Sequence, residues 1–431
     1  MNTHEYAQWF RGSTPYISAH RGKTFVVLLP GEAIAHANLA NIIHDIALLH
    51  VLGVRLILVC GARPQIERTI GPDAQRYHAG LRITDAGTME LIAGINGGIR
   101  TQLEALFSTG LPNTPLHNVN IPVISGNFVI AQPVGIVDGI DFGFTGNVRR
   151  IEKSRVTATL DAGALLLQSS IGYSKSGQAF NISAESLATE MATQTNADKL
   201  IVFAERHLTD DRNERISTFT PATLDARADA EEDLTSTLQA LSRAVRSGVS
   251  KAHLISYQQD GALLGELFTA AGVGTQVIEQ QHEPVRRATL HDINAIVEVI
   301  RPLEEQGILV RRDRDRLEQE IEHFLVAEID GIVVGCCAVY TERTHAELAC
   351  VAVHENYRKP AGNGIGSALL EAAESTARQQ GANTLFVLTT QTADWFREQG
   401  FNDARIDDLP TEKKALYNWQ RNSRVMTRSL D

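Results

Sequence analysis

Cysteine is scarce. Cys60, Cys336, Cys337 and Cys350 are the only four in 431 residues, and none forms a C-x-x-C pair. That excludes a disulfide framework and a cysteine zinc site, and it points to a reducing compartment. Long hydrophobic runs are missing too: no stretch approaches the roughly 18 consecutive apolar residues that a membrane-spanning helix requires. The first 23 residues carry acid, amide and arginine where an export signal needs an apolar segment, so a cytoplasmic location is expected, with no membrane partner. Positive charge is in deficit, 40 Lys and Arg against 51 Asp and Glu for a net charge of −11. A chain of pI near 5.7 lacks the basic face that nucleic acid or an anionic membrane would demand. A local basic pocket for a single cofactor remains compatible with that balance.

What is present reads as an ordinary globular protein, 43% apolar and 21% charged. Its length exceeds what one core usually organises, which suggests two domains. Residues 1–23 read as a short helix or arm with Trp9, Phe10, Tyr16 and Ile17 as anchors, or as a frayed terminus. Apolar strand patterns then alternate with helix-period segments: strands at 25–34, 54–60, 121–131, 163–168, 199–204 and 251–256, and helices at 39–52, 88–108, 181–195 and 234–247. Continuous apolar strands separated by helices imply an α/β fold with a mainly parallel sheet covered on both faces. The acidic stretch 205–233 reads as a solvated excursion within that domain.

A polar, proline-containing junction at 281–288 marks a boundary near Glu283, so that residues 1–283 and 284–431 form the two expected domains. In the second, Asp330-Gly331 between two apolar runs signals a hairpin. Strand AELACVAV leads into a polar, glycine-rich turn, and Gly364-Ile365-Gly366 opens a helix that ends at Gly381. Bare N–H groups at such a helix start receive anions, and the unit reads as the pyrophosphate cradle of an acyl-CoA. The plainer reading is that these glycines serve only the turn.

The first domain, on GARPQI after a strand and LFTAAGVGTQV near residue 275, resembles the amino acid kinase family over about residues 20–280. The departures matter. Where that family carries a lysine and glycines for phosphate, this chain has Leu28, Pro30 and Gly61-Ala62-Arg63-Pro64. Ser183 stands where the family's aspartate is expected. Phosphoryl transfer relies on positioning and charge neutralisation, so these losses imply a domain without kinase activity; regulatory and oligomerising roles are what the resemblance implies for it. Resemblance to the arginine-inhibited relatives implies an arginine site at Glu266, the backbone around Gly272 and Gly274, and Tyr16 as a lid. A guanidinium suits a carboxylate's fork geometry; the alternative is that Glu266 is a solvated helix residue.

The second domain, on its G-x-G after the central strand and on WFREQGF, resembles the GCN5-related acetyltransferase fold. That family's frequent tyrosine acid falls on Phe396, which cannot protonate a thiolate. Acetyl transfer needs a deprotonated amine, and Glu347 is the apt general base, directly or through a water; the competing reading is a surface glutamate. Simple alternation sets Glu347 and Cys350 on opposite faces, so a bulge is required for both to line one site. Cys350 reads as a packed wall residue rather than a nucleophile. Thr389, at the end of strand TLFVLTT, could donate to the leaving thiolate.

Two arginines from separate segments hold a dicarboxylate well. The candidates are Arg311 and Arg312, and Arg421 with Ser423; Arg312, beside Asp313 and Asp315, also reads as neutralised surface charge. The pairing of a kinase-like domain with an acetyltransferase, with VIRPLEEQGILVRR and AELACVAV, resembles the bacterial-type N-acetylglutamate synthase family. The resemblance implies transfer from acetyl-CoA, as co-substrate and without a metal, to L-glutamate in arginine biosynthesis, with L-arginine as feedback inhibitor. It assigns Arg311, Arg421 and Ser423 to glutamate, Glu347 to the role of base, and Val351, Val353, Gly364, Ile365 and Gly366 to CoA; the residue reading adds Cys350 at the substrate site and Thr389 to catalysis. It also implies a homo-oligomer, a hexamer by analogy. Rival readings are an N-acetyltransferase for another acidic amino acid, an active kinase, and a non-enzymatic arginine sensor.

Overall fold

Alternate side chains of the run at 25–29 enter opposite cores: Phe25, Val27 and Leu29 one, Val26 and Leu28 the other, each at most 2% exposed. A strand buried on both faces has no polar position, which is why the sequence here reads as one apolar block. The computed structural model describes residues 13–72, 75–108, 121–210, 212–228, 231, 233–269, 272–279, 285–329, 331–358, 364–410, 413–414 and 423–430. The chain divides into two compact units, residues 1–281 and 282–431. The boundary placed at Glu283, and Trp9, Phe10 and Arg421, lie outside the described residues.

Eight strands build the main sheet of the first unit: β1 (Thr24–Leu29), β2 (Arg55–Cys60), β3 (Val123–Ile124), β4 (Leu165–Ser169), β5 (Lys199–Ala204), β6 (Thr218–Phe219), β7 (Lys251–Ser256) and β8 (Thr275–Val277), in the order β6-β8-β7-β5-β1-β2-β4-β3. All neighbours run parallel except β7 and β8. Helix α1 (Leu39–Val51) packs on one face through Ile42, Ile43 and Ile46, and α2 (Ala184–Thr195) on the other through Leu187, Ala188 and Met191. Two parts differ from the sequence expectation. The run at 121–131 is divided between β3 and a strand, Val129–Pro133, of a separate four-stranded sheet. The acidic excursion holds edge strand β6 and a helix, Pro221–Ala228. A further helix, α3 (Ala262–Phe268), precedes the GVGT turn.

The second unit is a seven-stranded sheet of β9 (Val285–Arg287), β10 (Phe324–Ile329), β11 (Ile332–Glu342), β12 (His345–Val353), β13 (Thr384–Thr389), β14 (Asn402–Ala404) and β15 (Arg424–Ser429), ordered β9-β10-β11-β12-β13-β15-β14. Helices α4 (Ile293–Glu305) and α5 (Arg314–Glu320) lie before β10; α6 (Ile365–Gln379) and α7 (Ala393–Glu398) flank β13. Strands β10 and β11 pair antiparallel up to Ile329 and Ile332, the hairpin that the sequence predicts, with Asp330 outside the described residues. Ile296, Val299 and Ile300 of α4 cover one face, and Leu369, Leu370 and Ala373 of α6 the other. Gly335 is what brings α6 close, since a Cβ there would meet Ile365 Cγ2 at 2.9 Å.

The start of this unit is tied by one carboxylate. Asp292 accepts from both Arg286 Nη atoms at 2.8 Å and from the Thr289 N–H at 2.7 Å, and Arg286 also bonds Glu328. The Arg286 guanidinium holds the Asp292 carboxyl down at about 2. Hydrogen bonds to charged groups contribute about 1.5–3 kcal/mol each. Asp292→Asn is therefore expected to lower the stability of the second unit by roughly that much at neutral pH, in urea unfolding followed by Trp395 fluorescence. An unchanged midpoint would refute the clamp.

Candidate active site

Strands β12 and β13 pair in parallel only at His345↔Thr384, Ala346↔Leu385 and Glu347↔Phe386. Beyond Glu347 the ladder ends, and a cavity of about 670 Å³ opens between the two strands, the start of α6, α7 and the segment at 308–312. Parted parallel strands expose backbone groups and side chains to one space without disrupting the sheet behind them.

A bulge decides which side chains enter it. Cys336 pairs with Ala352 and Ala338 with Ala349, so Cys350 and Val351 together oppose Cys337. Cys350 takes the left-handed conformation, φ 52°, that a bulge residue adopts. Before the bulge, Ala346 and Leu348 pack under α6; after it, Cys350 and Ala352 join the core under α4. Glu347 and Cys350 thus both line the cavity despite their odd spacing. The bulge required by the sequence argument is present.

Glu347, with a side chain only 12% exposed, meets Lys413, whose Nζ lies 2.5 Å from Oε2. Cys350 is buried, and the Cys336 thiol bonding to it, helped by the Arg312 guanidinium, draws its thiol below the ordinary cysteine range, while Cys336 is pushed up. Thr389 Oγ1 is 2.8 Å from Thr392 Oγ1 and accepts the Thr392 N–H at 3.1 Å. Its O–H is open to a thiolate when Thr392 is the donor between the two hydroxyls. Ser423, Val351, Val353, Gly364, Ile365 and Gly366 all line the cavity, as does Phe396. Gly364 is the N-cap of α6, and N–H groups of a first helical turn have no partner inside the helix. Arg358, which donates through Nε to Val353 O at 2.8 Å, lines the same end. A helix start with a neighbouring arginine suits a pyrophosphate.

Of the two adjacent arginines, Arg312 and not Arg311 lines the cavity. Arg311 is exposed and does not line the cavity, whereas Arg312 does, with a side chain 9% exposed. Asp313, expected to neutralise Arg312, instead caps α5 by accepting the Arg316 N–H at 2.9 Å. Arg312 Nη1 donates to Val310 O, Nε is buried without a hydrogen-bond partner, and Glu320 Oε2 lies 4.0 Å away. Burial alone would weaken this guanidinium's hold on its proton, but Cys350, Tyr340 and Glu320 together raise it. A nearly buried guanidinium with donor capacity to spare is chemically suited to a carboxylate. No spacing rule separates two adjacent arginines in an irregular segment; the usable signal was Asp313 as an N-cap, which turns the residue before it inward.

In the first unit, Leu28, Pro30, Gly31, Ala62, Arg63 and Ser183 line a smaller cavity of about 320 Å³. Its glycine loops are packed on each other. Gln65 Nε2 donates to Gly31 O at 2.7 Å, and a Cβ on Gly31 would meet Pro64 Cδ at 2.6 Å. An acid does stand here: Glu185 lines the cavity, two residues beyond Ser183, and is held by Ser183 Oγ at 2.6 Å and Arg63 Nη2 at 3.3 Å. Ser183 itself is the N-cap of α2.

Glu266, Gly272 and Gly274 come together, but Glu266 is not an open acceptor. His253 Nδ1 lies 2.7 Å from Oε1, and Oε2 takes the N–H groups of Val273 at 2.8 Å and Gly274 at 2.7 Å. Tyr16 is buried in a helix over residues 13–20 that is tied to α3 by His20 Nε2, 2.9 Å from Leu267 O. Among the described residues no group of three or more His, Cys, Asp and Glu gathers to hold a metal, and no helix is long and apolar enough to cross a membrane.

The amino acid kinase family model matches residues 23–256, and the acetyltransferase (GNAT) family model residues 290–401. An amino-acid acetyltransferase of Escherichia coli (strain K12) is 44% identical over 99% of this chain and 98% of its own length. That of Ectopseudomonas mendocina (strain ymp) is 45% identical over 99% and 100%. The crystal structure of N-acetylglutamate synthase from Neisseria gonorrhoeae complexed with coenzyme A and L-arginine superposes with a TM-score of 0.85 at 31% identity, covering 98% of this chain and 99% of that one. The same enzyme complexed with coenzyme A and N-acetyl-glutamate gives 0.63 at 32% identity, covering 99% of each.

Proposed function

The chain belongs to the amino-acid acetyltransferase family, an enzyme that takes its acetyl group from acetyl-CoA, and from that premise we propose that its acceptor is the α-amine of L-glutamate. The observation that carries the reading is the meeting, in one cavity beside the α6 helix start, of the Glu347 carboxylate and the buried Arg312 guanidinium. Arg312 takes one carboxylate of the amino acid, with Arg421 and Ser423 assigned to the other. Glu347 removes the proton from the ammonium, directly or through a water, and the amine attacks the thioester. The cradle at Gly364, Ile365 and Gly366 holds the pyrophosphate and Val351 and Val353 face the pantetheine; the intermediate collapses with cleavage of its C–S bond, the extra proton on nitrogen passes to water, and CoA leaves as the thiolate, which at an ordinary thiol pKa near 8.5 needs little help from Thr389.

The first unit, its glycine loops closed on each other, performs no phosphoryl transfer in this reading and serves regulation and assembly into a homo-oligomer, a hexamer by analogy. L-Arginine acts as feedback inhibitor at the turn of Gly272 and Gly274, where it shares Glu266 with His253, under the helix that carries Tyr16. The N-acetylglutamate synthase complexes with arginine and with N-acetyl-glutamate support arginine as the effector and glutamate as the acceptor.

The test is thiol release from acetyl-CoA with each amino acid offered in turn, with and without L-arginine. L-Glutamate should support the fastest rate and arginine should lower it; a protein silent with glutamate would overturn the proposal. Losing a carboxylate contact of this kind removes about 1.5–3 kcal/mol. Arg312→Met is therefore expected to raise the KM for glutamate roughly ten- to a hundredfold while leaving that for acetyl-CoA unchanged. Arg311→Met should leave both near wild type, and the reverse pattern would return the role to Arg311.

A further inference from the structure

We propose that Lys413 is a positioning residue for the acyl transfer, its ammonium fixing the direction of the Glu347 carboxylate and compensating its charge on the side that solvent does not reach. The inference rests on the reading of Glu347 as the base. Lys413 Nζ stands 2.5 Å from Glu347 Oε2, an atom closed to solvent, to which no hydroxyl, amide or backbone N–H bonds among the described residues. A carboxylate oxygen in that position needs a compensating charge or donor. Glu347 lines the cavity and Lys413 does not, so the lysine acts through the carboxylate rather than on the substrate.

The surroundings hold the ammonium in place. Nζ lies 5.5 Å from the ring centroid of Tyr340, within the range at which an aromatic face attracts a cation. Tyr340 is the cross-strand partner of Glu347, and its hydroxyl is committed to Glu320 Oε2 at 2.5 Å, so it does not compete for the base. Leu409, four residues before Lys413, is buried against Phe386 and Val425. Phe386 is the residue of β13 that pairs with Glu347. The segment carrying the lysine is thus anchored on the strand position beside the base, and Lys414 N–H donates back to Pro410 O at 3.0 Å. A base misdirected by a fraction of an ångström loses rate without losing substrate, and this arrangement supplies the direction.

Four variants test it in steady-state thiol release: Lys413→Met, Lys413→Arg, Glu347→Gln and the double variant Lys413→Met with Glu347→Gln. Lys413→Met should lower kcat roughly ten- to a hundredfold, part of what a positioned base contributes, with the KM for acetyl-CoA unchanged. Lys413→Arg, which keeps the charge, should recover most of the loss. In the Glu347→Gln background Lys413→Met should cost no more than about twofold, because the group it acts through is gone. Wild-type kcat in Lys413→Met, a loss that multiplies in full in the double variant, or no recovery in Lys413→Arg with CoA binding intact would each overturn the inference. Full activity in Glu347→Gln would overturn the underlying base assignment as well, so the two failures are distinguishable.

Discussion

Glu347→Gln is expected to lower kcat by about 10²–10⁴ while CoA still binds, the loss typical of removing a positioned general base. The separation of effects follows from placement. In the proposed reading CoA is held at the helix start at Gly364 and by the residues after the bulge, whereas Glu347 sits before the bulge, at the last paired position of β12 and β13. Glutamine keeps the side-chain shape beside Tyr340 but cannot accept a proton from an ammonium. Binding of CoA by calorimetry, set against thiol release at saturating acetyl-CoA and glutamate, makes the comparison. Equal weakening of both would mean that Glu347 shapes the cavity, and full turnover would remove it from the chemistry. Glu347→Asp is the companion: it keeps the charge but withdraws the carboxylate by one methylene, and should also be slow if reach matters.

The parts of this site that could be read from the sequence were those set by local rules. The strand, turn and G-x-G helix start follow from glycine chemistry and hydrophobic period, and they placed Gly364, Ile365 and Gly366 in the cavity. The bulge could be deduced because Glu347 and Cys350 are an odd number of residues apart, so alternation had to break between them. Arg312 was hidden, since its inward turn depends on Asp313 spending its carboxylate on a helix N-terminus and on Glu304 accepting the Arg312 N–H at 2.8 Å. Lys413 was equally hidden, because no pattern over 66 residues of separation links it to Glu347. In the first unit, the apolar strands revealed the mainly parallel sheet, but the split of 121–131 between two sheets follows from the tertiary pairing of Val123 with Leu165 and of Val129 with Ile151. Ser183 stands where the resemblance expects an acid, and the carboxylate its hydroxyl reaches is Glu185, two residues further on.

Glu266→Ala should destabilise the first unit strongly. The side chains of His253 and Glu266 are each 5% exposed, and breaking a buried pair from one side costs about 3–5 kcal/mol because the buried imidazole loses its carboxylate. Two backbone N–H groups of the GVGT turn lose their acceptor at the same time. The turn is built around the carboxylate: Gly272 has φ +57°, and a Cβ on it would lie 2.5 Å from Glu266 Oε2. Burial opposes the charge of Glu266, yet the bond from His253, its charge, and the N–H groups of Gly274 and Val273 outweigh it and bring the carboxyl down to about 2. A folded value below the ordinary 4.5 gives stability that is complete above pH 4.5 and is lost as pH falls towards 2. The stability gap between wild type and Glu266→Gln should therefore be widest near neutrality and should close on acidification over that window. Urea unfolding at a series of pH values, with hydrogen exchange of β7 and β8 to assign the transition, makes the measurement. A gap independent of pH would mean that packing rather than charge holds the turn, and no gap at all would leave Glu266 free to serve an effector alone.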